Sequence, residues 1–448
     1  MSPLHIVAFE EFTLLYWTDL ETTQRHMGPS GLQNEKMRKK YAANVLIVIA
    51  SFAIALIFLE AFVRMAGETD ADGQFTFLGH TLQPYVLPVN QLRVRIDDYV
   101  ENQEFATIIA DEWLGWTYHP NWAWNDGEFT INSAGLRARR EYSSKPPPDT
   151  LRIAVFGDSF TAGEEVKDEE TWPRQLELGL NQAGIRAEVM NFGVGAYGMG
   201  QAFLRWQRLG EQFQPDIVIF GLQPENLKRN VNVFRQMLNS AGMPFSKPRF
   251  ALVDQELTLL NAPALPPEQL MAVFEDFANH PLATWEFHYH SRQVASKWWS
   301  WSRLAGFLYE ALKQDEESQD VYLPESEGGM LGQAILTAFG EDVMARDAVF
   351  IALHLPLRSH LIRRYEGRDP PYKFLLDYAR ENYHYIPMEE YFDPQHVEYE
   401  YWGTQFHYGP EITALVGRVV ADRIETCVRD LSCELSRFTD PSPLFIEA

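Results

Sequence analysis

The feature that most constrains the fold is an alternation of short apolar segments and helical segments that begins at Leu151. The apolar segments predict strands at residues 152–156, 187–192 and 216–220, with further strands at 348–353 and 383–386. Helices are predicted at about 172–183, 200–211 and 410–429. Short buried strands that alternate with helices imply right-handed crossovers and a parallel sheet. We therefore expect an α/β domain over residues 151–435, with a large insertion at about 230–345.

A second constraint is an apolar run over residues 42–59 that continues past Glu60 to Val63. The run is long enough to cross ~30 Å of hydrocarbon as a helix. Basic residues precede it and mostly acidic residues follow it, in the order Lys36, Arg38, Lys39, Lys40 and then Arg64, Glu68, Asp70, Asp72. This asymmetry predicts a cytoplasmic tail at 1–40, a transmembrane anchor at 41–64 and an extracytoplasmic remainder, periplasmic if the source is bacterial. A cleaved signal peptide and a buried helix of a soluble protein are the alternatives.

The stretch between the apolar run and the first strand, residues 65–150, is predicted to be a lead-in segment. It ends in Lys145-Pro-Pro-Pro-Asp149, which is typical of a stiff, extended linker and marks a domain boundary. The insertion contains the aromatic stretch Lys297-Trp-Trp-Ser-Trp301. Tryptophans of this kind are expected in a core, with sugar stacking or contact with a membrane interface as the alternatives.

Charge and cysteine content exclude several classes of partner. The formal net charge of −24 would repel nucleic acid and anionic lipid headgroups, so neither is expected as a partner. The only cysteines, Cys427 and Cys433, lie close together, and either a local disulfide or two free thiols fits their spacing. The sequence has no Cys-x-x-Cys motif and no histidine–carboxylate cluster at metal-ligand spacing, so we expect neither a metal nor a cofactor.

The first predicted strand ends in Gly157-Asp-Ser159, at the sheet edge where open α/β sheets bind ligands. Ser159 is therefore a candidate nucleophile, although the same three residue types also favour a structural turn. The second strand ends in a glycine-rich loop, Gly193-Val-Gly-Ala-Tyr-Gly198, whose spacing matches a dinucleotide-binding pattern. The next strand has no acidic residue at its carboxyl end, so we prefer a loop that exposes backbone N–H groups beside Ser159.

Together these segments resemble the SGNH/GDSL hydrolase family. Four blocks carry the resemblance: Gly157-Asp-Ser-Phe160, Asn191-Phe-Gly-Val-Gly-Ala-Tyr-Gly198, the loop of Asn226, and Phe406-His-Tyr-Gly-Pro-Glu411. It covers roughly 150–228 and 345–428 and implies a three-layer, flavodoxin-like parallel sheet. The segment Asn132-Ser-Ala-Gly-Leu-Arg137 and the anchored layout are similar to those of membrane-tethered members.

The resemblance implies a nucleophile at Ser159 and a general base at His407. It also implies an oxyanion hole formed by the backbone N–H groups of Ser159 and Ala196 and the side-chain amide of Asn226. The family usually has glycine at the position of Ala196, whose N–H can serve if its φ angle is negative. It usually has an aspartate at the position of Thr404, so another group must orient the imidazole.

We expect that orienting group to be Asp393, with Glu390, Glu398, Glu400 or a backbone carbonyl as alternatives. Asp393 and His396 form a second match to the D-x-x-H pattern, but the Pro-Glu pair and helix that follow His407 favour His407 as the base. The third block also departs from the family, because Glu225-Asn226 stands where Asn-Asp is common.

These observations predict a membrane-anchored serine esterase that hydrolyses acyl esters outside the cytoplasm. O-acetyl groups of a cell-surface glycan are a candidate substrate. One alternative is a glycan O-acyltransferase, in which the same site transfers the acyl group to a glycan hydroxyl and excludes water. The other is a degenerate, non-catalytic protein that binds glycan or scaffolds an envelope complex.

Overall fold

The computed structural model of the protein describes residues 29–124, 127–239, 242–289, 301–312, 320–404 and 407–429. The chain divides into two compact units. The described parts of residues 1–68, 75–83 and 298–310 form the smaller unit, and the remaining described residues form the larger unit.

Strands and helices are numbered in chain order. The strands are β1 (Glu68–Thr69), β2 (Phe75–Phe77), β3 (His80–Thr81), β4 (Ile108–Asp111), β5 (Gly115–Tyr118), β6 (Ala123–Trp124), β7 (Phe129–Thr130), β8 (Leu151–Phe156), β9 (Ala187–Asn191), β10 (Ile217–Leu222), β11 (Arg249–Val253), β12 (Glu256–Leu260), β13 (Val349–His354) and β14 (His384–Pro387). The helices are α1 (Pro29–Ala66), α2 (Val89–Asn102), α3 (Ser159–Ala162), α4 (Trp172–Gln182), α5 (Met199–Arg208), α6 (Glu225–Asn230), α7 (Arg235–Leu238), α8 (Pro267–Glu275), α9 (Arg303–Leu312), α10 (Glu327–Met344), α11 (Arg358–Tyr365), α12 (Lys373–Asn382) and α13 (Pro410–Arg429).

The larger unit is built around a five-stranded sheet in the order β14–β13–β10–β8–β9, in which every neighbouring pair is parallel. Each strand lies within two residues of its predicted position. Short continuous apolar runs mark such strands because both faces of a parallel sheet are covered. Taken in chain order, the strands are arranged 2-1-3-4-5 across the sheet, which is the flavodoxin-like order. The predicted α/β fold with a parallel sheet is confirmed.

Successive side chains of the strands enter two separate hydrophobic layers, as the two-residue period of a strand requires. Val155 packs in the layer that α4 and α13 cover, whereas Phe156 packs in the layer that α5, α10 and α12 cover. Phe339 of α10 meets the ring of Phe156 edge-on, with ring centroids 5.9 Å apart. The last helix of the predicted insertion therefore covers the sheet.

The lead-in segment contributes to the same core. Within the larger unit it includes the antiparallel hairpins β4–β5 and β6–β7. Trp116, Tyr118, Ile131 and Leu136 are buried among the side chains that cover the sheet. Burial of a large aromatic or aliphatic side chain contributes roughly 1.5–3 kcal/mol, so this segment is held to the sheet by its own apolar contacts.

The last described helix, α13, packs against α4 and follows His407. Cys427 lies in this helix and is disulfide-bonded, which corresponds to the first of the two alternatives for the cysteines. Cys433 lies outside the described residues. A disulfide is typical of an oxidising compartment.

The smaller unit contains the predicted membrane anchor. Within α1, Met37–Ala66 is long and apolar enough to cross a membrane, and none of its most apolar window is buried. A signal sequence has the same properties, so the anchor stays a prediction. Near the end of α1, Val63 packs with Phe75 and Phe77 of the β2–β3 hairpin and with Leu304 and Phe307 of α9.

Candidate active site

Ser159 is the first residue of α3, directly after the carboxyl end of β8. The preceding residue, Asp158, caps this short helix by accepting a hydrogen bond from the Phe160 N–H at 3.0 Å. The N–H of a first helical residue has no partner within its own helix. Ser159 lies between the ends of β8 and β10, where the strand order reverses. It presents a hydroxyl there, and its backbone N–H has no acceptor among the described residues.

The structure brings His407, the predicted base, into contact with this serine. The Nε2 atom of His407 lies 2.8 Å from the Oγ atom of Ser159. Its Nδ1 atom lies 2.8 Å from Oε2 of Glu165. A carboxylate can only accept, so Nδ1 carries the proton and Nε2 is left to accept from the serine hydroxyl. Serine, histidine and glutamate thus form a continuous hydrogen-bonded chain, and both acidic and imidazole side chains are largely buried.

The structure does not bring Asp393, the acid predicted to orient His407, into contact with that histidine. Asp393 caps a short 3₁₀ helix, and its backbone N–H donates to Nδ1 of His396 at 2.9 Å. Both ring nitrogens of His407 have other partners, Ser159 and Glu165. The D-x-x-H match of Asp393 with His396 is therefore a local capping arrangement away from the serine.

Glu165 was not recognised in the sequence because it lies far from the histidine along the chain. The signal that could have found it is its position six residues after Ser159, on a loop at the same sheet edge. Its second oxygen, Oε1, accepts the hydroxyl of Thr404 at 2.6 Å. Thr404 therefore occupies the position at which the family has an aspartate, and its hydroxyl donates to Glu165, which contacts His407 instead.

The glycine-rich loop approaches the serine in an unexpected backbone conformation. The φ angle of Ala196 is +62°, not negative as its predicted role required. This left-handed region costs a residue with a side chain roughly 1–2 kcal/mol, which explains why glycine is favoured at this position. Within the described part of the chain, the Ala196 N–H makes no hydrogen bond. The Trp116 indole donates to the carbonyl of Gly195 at 2.9 Å and holds the loop.

The side chain of Asn226 is buried and hydrogen-bonded to other protein groups, one of them the residue before Ser159. Its amide nitrogen donates to Oδ2 of Asp158 at 3.2 Å and to the carbonyl of Tyr197 at 3.1 Å. Its amide oxygen accepts the N–H of Gln223 at 3.0 Å. Both amide hydrogens have internal acceptors, so Asn226 joins the three loops in this arrangement and has no hydrogen free for an oxyanion.

A buried ion pair reinforces this junction. Arg229 of α6 donates to Asp158 at 2.7 Å and also reaches the carbonyl of Tyr197 at 3.1 Å. Burial raises the pKa of Asp158, and the positive charge of Arg229 opposes that rise. Removing one partner of a buried pair leaves an uncompensated charge, so this pair fixes α6 to the loop that carries Ser159.

The loop that carries Glu165 is held from the lead-in segment. The guanidinium of Arg137 donates to the carbonyls of Gly163 at 3.2 Å and Val166 at 2.9 Å, on either side of Glu164 and Glu165. Its side chain is 1% exposed and pairs with Asp168 further along the same loop at 2.7 Å. Arg137 therefore grips the backbone on both sides of the orienting acid.

A second contact from the lead-in segment links that loop to the glycine-rich loop. The hydroxyl of Tyr118 donates to Glu164 at 2.7 Å and accepts the N–H of Gly195 at 3.2 Å. Burial, together with the charge of Glu164, raises the pKa of Tyr118 well above its ordinary value, so the hydroxyl keeps its proton. Glu164 is therefore linked through Tyr118 to the glycine-rich loop, whereas the adjacent Glu165 contacts His407.

A second histidine–carboxylate pair lies at the end of β13. Nδ1 of His354 is 2.5 Å from Glu389, and its Nε2 is 3.2 Å from the hydroxyl of Tyr372. A neutral tyrosine is a poor nucleophile, and burial raises the pKa of Tyr372 far above its ordinary value. Of the two pairs, the one at Ser159 has the arrangement that nucleophilic catalysis requires. Among the described residues, no cluster could hold a metal ion.

Fold and site together define an α/β protein with a five-stranded parallel sheet and a Ser–His–Glu chain at its carboxyl edge. No known family model and no curated protein matches the sequence. Among solved structures, the chain is similar to TesA (12% identity, 61% of this chain and 98% of that one, TM-score 0.33). It is also similar to a putative lipolytic protein of the G-D-S-L family from Desulfitobacterium hafniense (15%, 61% and 98%, 0.30) and to the acetyl xylan esterase AlAXEase (13%, 62% and 100%, 0.31).

Proposed function

We propose that this protein is a serine ester hydrolase, attached to a membrane by α1 and acting on acyl esters outside the cytoplasm. The observation that carries the proposal is the continuous chain from Ser159 Oγ through His407 to Glu165, with both contacts at 2.8 Å. A serine hydroxyl is a weak nucleophile unless a positioned base takes its proton, and this chain supplies one.

In the first half of the reaction, Oγ of Ser159 attacks the ester carbonyl while Nε2 of His407 takes the hydroxyl proton. The Ser159 N–H, which makes no hydrogen bond within the described residues, is available as a donor to the new oxyanion. The Ala196 N–H is also without an acceptor there, but its positive φ departs from the conformation that its predicted role required. Collapse of the tetrahedral adduct breaks the bond to the alcohol, which leaves with the proton of the imidazolium. The product of this half is an acyl-serine.

In the second half, His407 removes a proton from water, which attacks the acyl-serine. Collapse of this adduct breaks the bond between the acyl carbon and Oγ, the imidazolium returns its proton to Oγ, and the free acid leaves. A sugar hydroxyl in place of that water would give acyl transfer at the same site. The carboxylate of Glu165 stabilises the imidazolium in both halves. Its presence weakens the case for a non-catalytic protein, because that case depended on the missing aspartate at Thr404.

The proposed location outside the cytoplasm has two supports. The basic residues Lys39 and Lys40 precede the apolar run of α1, as expected for a cytoplasmic end. Cys427 is disulfide-bonded, as expected in an oxidising compartment. Acetyl groups on a cell-surface glycan are the substrate class that this location would offer.

The test is hydrolysis of 4-nitrophenyl acetate by the full chain in detergent micelles, comparing wild type with Ser159→Ala. We expect the variant to lose all turnover above the uncatalysed rate and to keep its melting temperature. Ser133→Ala is the matched control, because this serine is exposed and hydrogen-bonded to Glu141 in the lead-in segment. Full activity in Ser159→Ala would refute the proposal. Product analysis with an added sugar then distinguishes hydrolysis, which yields free acetate, from transfer, which yields an acetylated sugar.

A further inference from the structure

The end of α1 is joined directly to the start of α9 within the smaller unit. The carboxylate of Glu60 accepts the N–H groups of Arg303 at 3.0 Å and Leu304 at 2.8 Å, and also the hydroxyl of Ser302 at 2.8 Å. A carboxylate that caps the first N–H groups of a helix also interacts favourably with the helix dipole. Arg64 adds a hydrogen bond to the carbonyl of Trp301 at 2.6 Å. The first turn of α9 is therefore fixed beside the last turns of α1.

The position of Glu60 sets the depth of this junction in a bilayer. From Tyr41 to Glu60, a helix rises about 28 Å at 1.5 Å per residue, close to the hydrocarbon thickness of ~30 Å. The apolar side chains between them are exposed, as lipid contact requires. If α1 spans the bilayer as proposed, Glu60 lies at the far boundary of the hydrocarbon, and so does the start of α9.

The apolar side chains of α9 are covered on one side of the helix and become exposed further around it. Leu304 and Phe307 point into the small core, where the Phe307 ring meets Phe77 with centroids 4.9 Å apart. Leu308 and Leu312 are 46% and 77% exposed. Each leucine of the row Leu304, Leu308 and Leu312 lies ~40° further around the helix than the one before it, so the row turns away from the small core. Leu308 and Leu312 form an exposed stripe at the edge of that core.

Trp301 is a further exposed apolar side chain next to α9. It is 70% exposed and lies two residues before the first residue of the helix. Tryptophan is enriched at membrane interfaces, where its apolar ring and polar N–H meet both environments. The chain is strongly acidic and the stripe has no basic residue, so the surface suits zwitterionic lipid.

We propose that α9 is a second membrane contact, lying in the interface of the bilayer that α1 spans, with Trp301, Leu308 and Leu312 among the lipid chains. The continuity of α9 with the end of the span favours lipid as the occupant of this face. The inference rests on the proposed anchor and is independent of the esterase activity. The contact would hold this part of the insertion at the membrane surface.

The test uses single nitroxide labels at Leu308→Cys and Leu312→Cys in the full chain, reconstituted in phosphatidylcholine vesicles. Collision with oxygen, which concentrates in lipid, is compared with collision with a water-soluble nickel chelate by electron paramagnetic resonance. We expect oxygen to dominate at both sites by at least several-fold. Val94→Cys is the control, since it is an exposed apolar residue on a helix of the larger unit, and the nickel chelate should dominate there.

Three outcomes would overturn some part of the inference. If the nickel chelate dominates at Leu308 and Leu312 as it does at Val94, α9 lies in water and the inference fails. Shielding of both labels from both reagents would mean that protein, such as a second copy of the chain, covers the stripe, and the inference fails equally. Release of the unlabelled chain from vesicles by alkaline carbonate would instead refute the anchor itself.

Discussion

Replacing Glu165 by glutamine tests whether this residue orients the proposed base. The substitution keeps the size of the side chain but removes the charge that faces Nδ1 of His407 at 2.8 Å. A hydrogen bond to a charged group contributes roughly 1.5–3 kcal/mol, and its loss alone predicts a fall in kcat of about 13- to 160-fold. The glutamine amide can also rotate to donate to Nδ1, which leaves the imidazole proton on Nε2, facing the serine. The corresponding tautomer error lowers kcat about 10⁴-fold in serine proteases.

We therefore expect kcat of Glu165→Gln for 4-nitrophenyl acetate to fall by between ~10² and ~10⁴, with little change in KM. The matched control is Asp393→Asn, which removes the acid that the sequence pattern favoured. Asp393 caps a short helix around His396, so this variant should keep kcat within about twofold of wild type and lose at most ~1–2 kcal/mol of stability. Thermal melts of both variants distinguish lost catalysis from lost folding.

The opposite ranking would refute the assignment. If Asp393→Asn abolished turnover while Glu165→Gln stayed active, the hydrogen bond between Glu165 and His407 would not be the one that matters during the reaction. A similar fall in both variants, with unchanged melting temperatures, would mean that neither residue acts alone as the orienting acid. A fall of less than about fivefold in Glu165→Gln would show that the imidazole holds its tautomer without this carboxylate.

Two further predictions concern buried basic groups outside the reacting chain. Arg137→Gln should lower kcat at least tenfold, because it removes the donor to the carbonyls of Gly163 and Val166 beside Glu165. The control is Arg139→Gln, which removes an exposed partner of Asp168 and should keep kcat within about twofold of wild type. Equal kcat values for the two variants would contradict this prediction. Burial lowers the pKa of Lys247 to about 7, so the folded state releases this proton below the pH at which the unfolded chain does. Stability should therefore rise between pH 7 and 10 by at most ~1.4 kcal/mol per pH unit in urea titrations, and Lys247→Met should flatten that rise.

The parts of the fold that the sequence predicted well are those that depend on local pattern. The five strands are continuous apolar runs. The position of Ser159 follows from a motif at the end of the first run, and that of His407 from a motif before the last helix. What could not be predicted depends on contacts between distant segments. The left-handed φ of Ala196 is imposed by a loop that the lead-in segment holds, and the engagement of both Asn226 hydrogens depends on how three loops meet. Neither the φ angle of Ala196 nor the hydrogen bonds of Asn226 can be predicted from the pattern of residues along the chain.

The origin of the orienting acid shows how a motif can fail while its chemistry survives. Nδ1 of the imidazole needs a carboxylate acceptor in the right place, and any loop at the same sheet edge can supply one. Here Glu165 follows the serine by six residues and accepts from both Nδ1 and the backbone N–H of His407. An aspartate at the position of Thr404 would then face a second carboxylate within hydrogen-bonding distance, and repulsion would disfavour both charges. A hydroxyl at position 404 can instead donate to the carboxylate of Glu165. A threonine at position 404 is therefore compatible with a glutamate at position 165, whereas an aspartate is not.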